Sequence, residues 1–172
     1  MKAILKKDLW SITSFLENKN YKFDKKIILD NLPESFIDDA IKSISSWKTY
    51  EPTPLIRLNK LNNELKFNEI YYKDEDKRFN LKSFKALGGA FAVYKIANEK
   101  KDITVATATA GNHGRSVAWG AQRLGLKCKI FISENVSESR AEAMRNLDAE
   151  VIRVKGNYDN SLKECIEQSN KN

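Results

Sequence analysis

Histidine occurs once in this chain, at His113, and cysteine twice, at Cys128 and Cys165. The cysteines lie far apart and outside any CxxC or Cys/His cluster, which argues against zinc and for reduced thiols in a cytoplasmic protein. No apolar run approaches the ~20 residues that span a bilayer, so no membrane partner is expected. The opening MKAILKKDLW has neither an apolar h-region nor a small-residue cleavage site, so no secretory signal is read there. Glycine numbers only seven and, apart from Gly88-Gly89, each stands singly. There is no GxGxxG dinucleotide fingerprint, and no repeat or low-complexity tract.

Arginine is also scarce. The net charge of +7 comes from 23 lysines and 7 arginines against 23 acids, whereas phosphate and base readout favour the planar arginine fork. The lysines are scattered among acids with no basic stripe interleaved with aromatics. A basic nucleic-acid-binding domain is the alternative of another class, and this pattern speaks against it. Hydrophobic content of 41% with 31% charged residues is that of a globular chain long enough to bury a core.

Apolar periodicity predicts a helix over residues 34–47, broken by Glu51-Pro52-Thr53-Pro54, where each residue before proline is extended. Residues 55–65 read as one amphipathic segment and 70–73 as a strand. A helix is expected from Ser83 to Glu99. Thereafter strands at 103–107, 127–132 and 150–154 alternate with helices at 116–124, 137–147 and 158–168. Gly125 stops the first of these helices, Ser137 or Ser139 caps the second, and residues 111–114 form a tight turn. Such alternation with short connections is an α/β fold, a parallel sheet whose ligands sit at the carboxyl ends of the strands.

Two loops carry chemistry. In residues 107–115, TATAGNHGR, small residues allow close backbone approach and the following helix offers unpaired N–H groups, a combination that binds a carboxylate or phosphate. Asn112 can donate and accept there. In SFKALGGA, Lys85 stands where a polar turn gives way to an apolar helix. A lysine at such a rim can be desolvated and nucleophilic, or can keep its charge in water. Gly88-Gly89 falls inside the helical pattern and reads as permitting close helix packing rather than as a phosphate cradle.

SFKALGGA followed by AGNHG resembles the fold-type II pyridoxal-phosphate enzymes, the tryptophan synthase β-like group that includes the threonine and serine dehydratases. YEPTPLIRLNKL resembles the segment that precedes the lysine in that group. Within it, KDEDKRFNLKSFKALGGAFAVYKI, GNHGRSVAWGAQRLG and AEVIRVKGNYDNSL are most similar to the diaminopropionate ammonia-lyases. The likeness runs from about Tyr50 to Leu162.

The resemblance implies a three-layer parallel sheet with flanking helices, with pyridoxal 5'-phosphate as cofactor. Lys85 would carry the cofactor and act as base at the substrate Cα. Asn112 would hydrogen-bond the cofactor's 3′ oxygen, and Thr109, Ala110, Gly111, Asn112 and His113 would hold the carboxylate of a small amino-acid substrate. The activity implied is α,β-elimination to a keto acid and ammonia. Ala110 replaces the aspartate that the ammonia-lyases carry before GNHG, as in the threonine dehydratases; a threonine/serine dehydratase-like reading is thus the runner-up.

Family members are about twice as long, with a glycine-rich phosphate loop that this sequence lacks. Residues 1–84 are accordingly expected to be the N-terminal part of the large domain and 85–172 the small α/β domain. A truncated form with little activity alone is expected, or the inactive subunit of a split enzyme. Its partner would be a second copy, as a homodimer, or a chain supplying the missing half.

Overall fold

The computed structural model describes Lys19, Lys22 and residues 24–65, 68–100 and 102–171; the opening segment read for a leader lies outside them. The chain forms two compact units, Met1–Ile37 and Asp38–Asn172. In the first, helix α1 (Lys25–Asn31) is capped by the Asp24 carboxylate, which accepts from the Lys26 and Ile27 N–H groups. Helix α2 (Glu34–Ser45) runs on into the second unit. It stops short of Trp47, which is buried with its N–H bonded to the Ile44 carbonyl.

The segment read as one amphipathic stretch is divided. Residues Leu55–Arg57 form strand β1, which pairs antiparallel with β2 (Tyr71–Lys73) in the register Leu55↔Lys73. Helix α3 (Asn59–Leu65) begins only afterwards. The apolar spacing of Leu55, Leu58, Leu61 and Leu65 fits a helix, but Pro54 sets the chain extended and the ladder to β2 keeps it so.

A buried arginine ties this region to the approach to Lys85. Arg78, 5% exposed, donates from Nη1 to the Glu51 carbonyl at 2.9 Å and from Nη2 to Thr53 Oγ1 at 2.8 Å, while its Nε meets Glu75 Oε2 at 2.8 Å. Thr53 Oγ1 also donates to the Glu75 carboxylate, and Lys73 Nζ donates to the Thr53 carbonyl at 2.6 Å. The extended strap at 51–54 is thereby fastened to the turn at 73–78. That turn continues through three non-glycine residues in left-handed backbone, Phe79, Asn80 and Lys82, conformations that persist where surrounding contacts enforce them.

The hydrogen bonds from Arg78, assisted by Thr53, hold the Glu75 carboxyl below the usual carboxylate range despite its burial. A group depressed in the folded state contributes stability that is present above its unfolded value and lost as pH falls through its folded value. Below about pH 4.3, the usual value for a free glutamate, the clip should therefore loosen. In acid titrations followed by tryptophan fluorescence, Glu75→Gln is expected to flatten this limb of the stability curve. An acid limb unchanged in the variant would refute the linkage.

The remainder is the parallel sheet. Strands β3 (Thr104–Ala108), β4 (Lys127–Ser133) and β5 (Glu150–Val154) lie in the order β3-β4-β5. Helices α4 (Lys85–Glu99), α5 (Asn112–Arg123), α6 (Glu138–Arg145) and α7 (Tyr158–Ser169) surround it. Alternation along β4 separates the two faces. Cys128, Ile130 and Ile132 pack with Val117, Ala118 and Ala121 of α5 and Ala141 and Met144 of α6. Phe131 turns the other way, onto Ala108 and Cys165 of α7. Helices on both faces make the three-layer α/β fold expected. A third cluster gathers Trp47, Phe79, Ala86, Ala90 and Phe91, with the Arg123 guanidinium 4.4 Å from the Trp47 ring centroid and 4.7 Å from that of Trp119.

Both cysteines are free and buried, and burial pushes the Cys128 thiol up to about 11. Among the described residues no helix is long and apolar enough to cross a membrane.

Candidate active site

Strand β3 ends at Ala108, and Thr109 still donates its N–H to the Phe131 carbonyl at 3.1 Å, carrying the ladder one residue into the loop. Gly111 is extended and caps α5 without a side-chain hydrogen bond. The tight turn expected at 111–114 is instead the start of the helix, with Asn112 as its first residue and the Arg115 N–H bonded to the Gly111 carbonyl. The physical reason lies in Gly114. A Cβ there would meet Met144 Sδ at 2.9 Å and the Thr109 carbonyl oxygen at 3.1 Å, so this glycine serves packing against α6 rather than a turn. Gly111 has open space where its Cβ would be. The N–H groups of Asn112, His113 and Gly114 belong to the first turn of a 12-residue helix, its positive end, which Gly111 caps with no side-chain hydrogen bond. Asn112 and His113 are exposed, and Thr109 and Ala110 half-buried.

Lys85 opens α4 and is exposed, its Nζ 5.0 Å from the centroid of the Phe84 ring. Its backbone N–H is taken by Ser83 Oγ at 3.2 Å. Among the described residues no carboxylate pairs with its amine. Of the two readings of this lysine, the side chain lies in water along an aromatic face and not in an apolar pocket.

One residue that the motifs do not flag joins the two loops. Ser116, fully buried on α5, donates from Oγ to the Lys85 carbonyl at 2.6 Å and accepts from the Ala90 N–H at 3.1 Å. The helices approach closely because the contact is made of small residues. A Cβ on Gly89 would lie 2.4 Å from Ser116 Oγ, and one on Gly120 would lie 2.8 Å from Ala90 Cα. Gly89 thus permits helix packing, as its place inside the helical pattern suggested, whereas a Cβ on Gly88 would meet nothing within 4 Å. The available signal was the four-residue spacing of Ser116 and Gly120, which places two small residues on one helix face.

Beside the loop opens a cleft of about 420 Å³, lined by Ala110, Gly111 and Asn112, by Arg115 one turn along α5, and by Ser139 and Arg140 of α6. Ser137 holds the N-cap position of α6 without a capping hydrogen bond, its Oγ lying 3.2 Å from Ser139 Oγ. Ser139, the other candidate cap, lies within the helix, as does Glu142 three residues on, so the two form no capping box.

The residues present suit half of what pyridoxal phosphate needs: a primary amine free of any described acid, on a helix braced against an amide-bearing loop with open N–H donors. They include no glycine-rich cradle for its phosphate.

Residues 47–172 match the pyridoxal-phosphate dependent enzyme family. Diaminopropionate ammonia-lyase of Escherichia coli K12 is 39% identical over 132 residues, covering 66% of this chain and 33% of the relative. The biosynthetic L-threonine dehydratase of Haemophilus influenzae is 33% identical over 133 residues, covering 76% of this chain and 26% of the relative. Among solved structures, the Escherichia coli ammonia-lyase in complex with an aminoacrylate-PLP azomethine intermediate superposes with a TM-score of 0.76 at 36% identity, covering 80% of this chain and 39% of that one. Threonine deaminase isoform 2 of Solanum lycopersicum gives 0.70 at 28% identity, covering 87% and 39%. The chain spans about a third of the length of the first of these relatives. Its fold is that of the tryptophan synthase β-like enzymes, and the chain belongs to the pyridoxal-phosphate dependent enzyme family, whose cofactor is pyridoxal phosphate.

Proposed function

We propose that this chain carries the lysine and the substrate loop of an ammonia-lyase that removes a β-leaving group from a small amino acid, as its similarity to diaminopropionate ammonia-lyase suggests. The observation that carries the reading is the bond from Ser116 to the Lys85 carbonyl. It holds the head of the lysine helix against the helix that begins GNHG. Pyridoxal phosphate, when bound, supplies the electron sink for negative charge at Cα. Lys85 would hold the cofactor by its amine and, once released from it by the substrate's own amine, would take the Cα proton, while Asn112 would hydrogen-bond the cofactor's 3′ oxygen. Thr109, Ala110, Gly111, Asn112 and His113 receive the substrate carboxylate, whose charge the open N–H groups of α5 neutralise.

Ala110 favours a second reading within the same chemistry. A methyl group offers no acid or base at that position, which suits a dehydratase acting on threonine or serine. In either reading residues 1–84 would belong to the large domain and 85–172 to the small one. The location would be the cytoplasm, and a second copy or a complementary chain would complete the site.

The glycine-rich phosphate loop is not among these 172 residues. The chain alone is therefore expected to retain pyridoxal phosphate weakly and to release no keto acid from diaminopropionate, serine or threonine. Absorbance titration with the cofactor and a coupled keto-acid assay test the two parts separately. Complete absence of cofactor retention would overturn the site, and turnover would overturn the dependence on a phosphate loop.

A further inference from the structure

The cleft between the first turns of α5 and α6 contains charge that the elimination reading does not use. Arg115 and Arg140 both line it, and among the described residues neither guanidinium has a carboxylate partner. Two acids of α6 stand two residues from Arg140: Glu138 is engaged by Arg145 and Arg153, and Glu142 does not line the cleft. No acidic residue lines the cleft, and Arg115 Nε is buried with no hydrogen-bond partner among the described residues. Buried donors in folded proteins are satisfied in the great majority of cases, and leaving one unpaired is costly. Two permanent positive charges facing one concavity also repel unless something negative lies between them.

We propose that this cleft binds a small organic dianion, gripped by the Arg115 and Arg140 guanidiniums and bounded by Gly111, Asn112 and Ser139. The guanidinium fork matches the paired oxygens of carboxylate and phosphate alike. A volume of about 420 Å³ leaves room for a short carbon body as well as the anionic groups. The site requires neither Lys85 nor the cofactor, so it stands or falls apart from the elimination reading. It shares Ala110, Gly111 and Asn112 with the loop proposed to receive the substrate carboxylate, whereas Arg115, Ser139 and Arg140 lie outside that loop.

Backbone amide spectra of the ¹⁵N-labelled chain, recorded without pyridoxal phosphate, test the site directly. Inorganic phosphate and succinate are titrated separately, with sodium chloride at matched ionic strength as control. Saturable shifts at the amides of residues 111–115 and 139–143 are expected for at least one of the two, and the tighter binder identifies the head group. Arg140→Gln, at an exposed position, should weaken that binding about tenfold or more. Arg115→Lys should weaken it too, since it keeps the charge and loses the fork. Lys85→Ala should leave it unchanged. Shifts equal to those in chloride, shifts centred on Lys85, or an affinity untouched by Arg140→Gln would each overturn the assignment.

Discussion

Lys85→Ala is expected to abolish covalent capture of pyridoxal phosphate by this chain. Borohydride treatment of the wild-type mixture should leave a stable mass increment on the tryptic peptide containing Lys85. In the variant, labelling of that segment disappears and total labelling falls to the level of scattered surface lysines, at least about tenfold lower. The contrast is demanding because 22 other lysines compete. Several are occupied: Lys73 donates to the Thr53 carbonyl, and Lys95, Lys129 and Lys163 pair with acids. Lys85 has no described acid partner and stands at the head of a helix locked to the Asn112 helix. The control is Lys82→Ala, three residues upstream, whose amine lies 3.7 Å from Asp76 Oδ1; it should leave capture unchanged. Equal labelling of wild type and Lys85→Ala would remove Lys85 from the proposed site.

The second large effect is on stability. Gly120→Val is expected to destabilise the chain by about 3 kcal/mol or more, at the upper end of what overpacking costs. A Cβ at this position already falls 2.8 Å from Ala90 Cα, which is backbone, and 3.3 Å from Val93 Cβ. The α4–α5 contact must separate to admit it. Gly88→Ala, on the same helix as Ala90 but facing open space, should raise stability by about 0.5–1 kcal/mol through helix propensity alone. Urea denaturation with slopes compared between variants measures both. Opposite signs at the two glycines follow from the packing described, and a neutral Gly120→Val would mean that the helices do not approach so closely.

What could be read from the sequence divides along physical lines. The strands of the parallel sheet and helices α4 and α7 are found within a residue or two of their expected bounds, because each has a continuous apolar pattern closed by polar residues or glycine. The beginning of α5 was hidden because GNHG contains two glycines, and glycines between a strand and a helix usually make a turn. Here Gly114 is required by Met144, 30 residues away, which no local pattern reveals. The strand at Leu55–Arg57 was masked by helical spacing and decided by its partner at Tyr71–Lys73. Ser116 left a faint trace as part of a small-residue stripe. Arg115 and Arg140 left none: 25 positions separate them, and the sheet order alone brings their helices side by side.

The bond from Ser116 to the Lys85 carbonyl also bears on how such a site can change its chemistry over evolutionary time. The spacing between the lysine helix and the loop helix is set where α4 meets α5 by backbone, the Ser116 hydroxyl and small side chains, with Val93 beside Gly120 as the bulkiest near neighbour. Ala110, by contrast, is a half-buried tip on the cleft wall, outside that contact. In the proposed function, a substitution there would alter which protons can be moved or which substituent is tolerated without displacing Lys85. On that reading, drift between substrates would be mechanically cheap at the tip and costly at the seam, which would separate the evolvable part of the site from its frame.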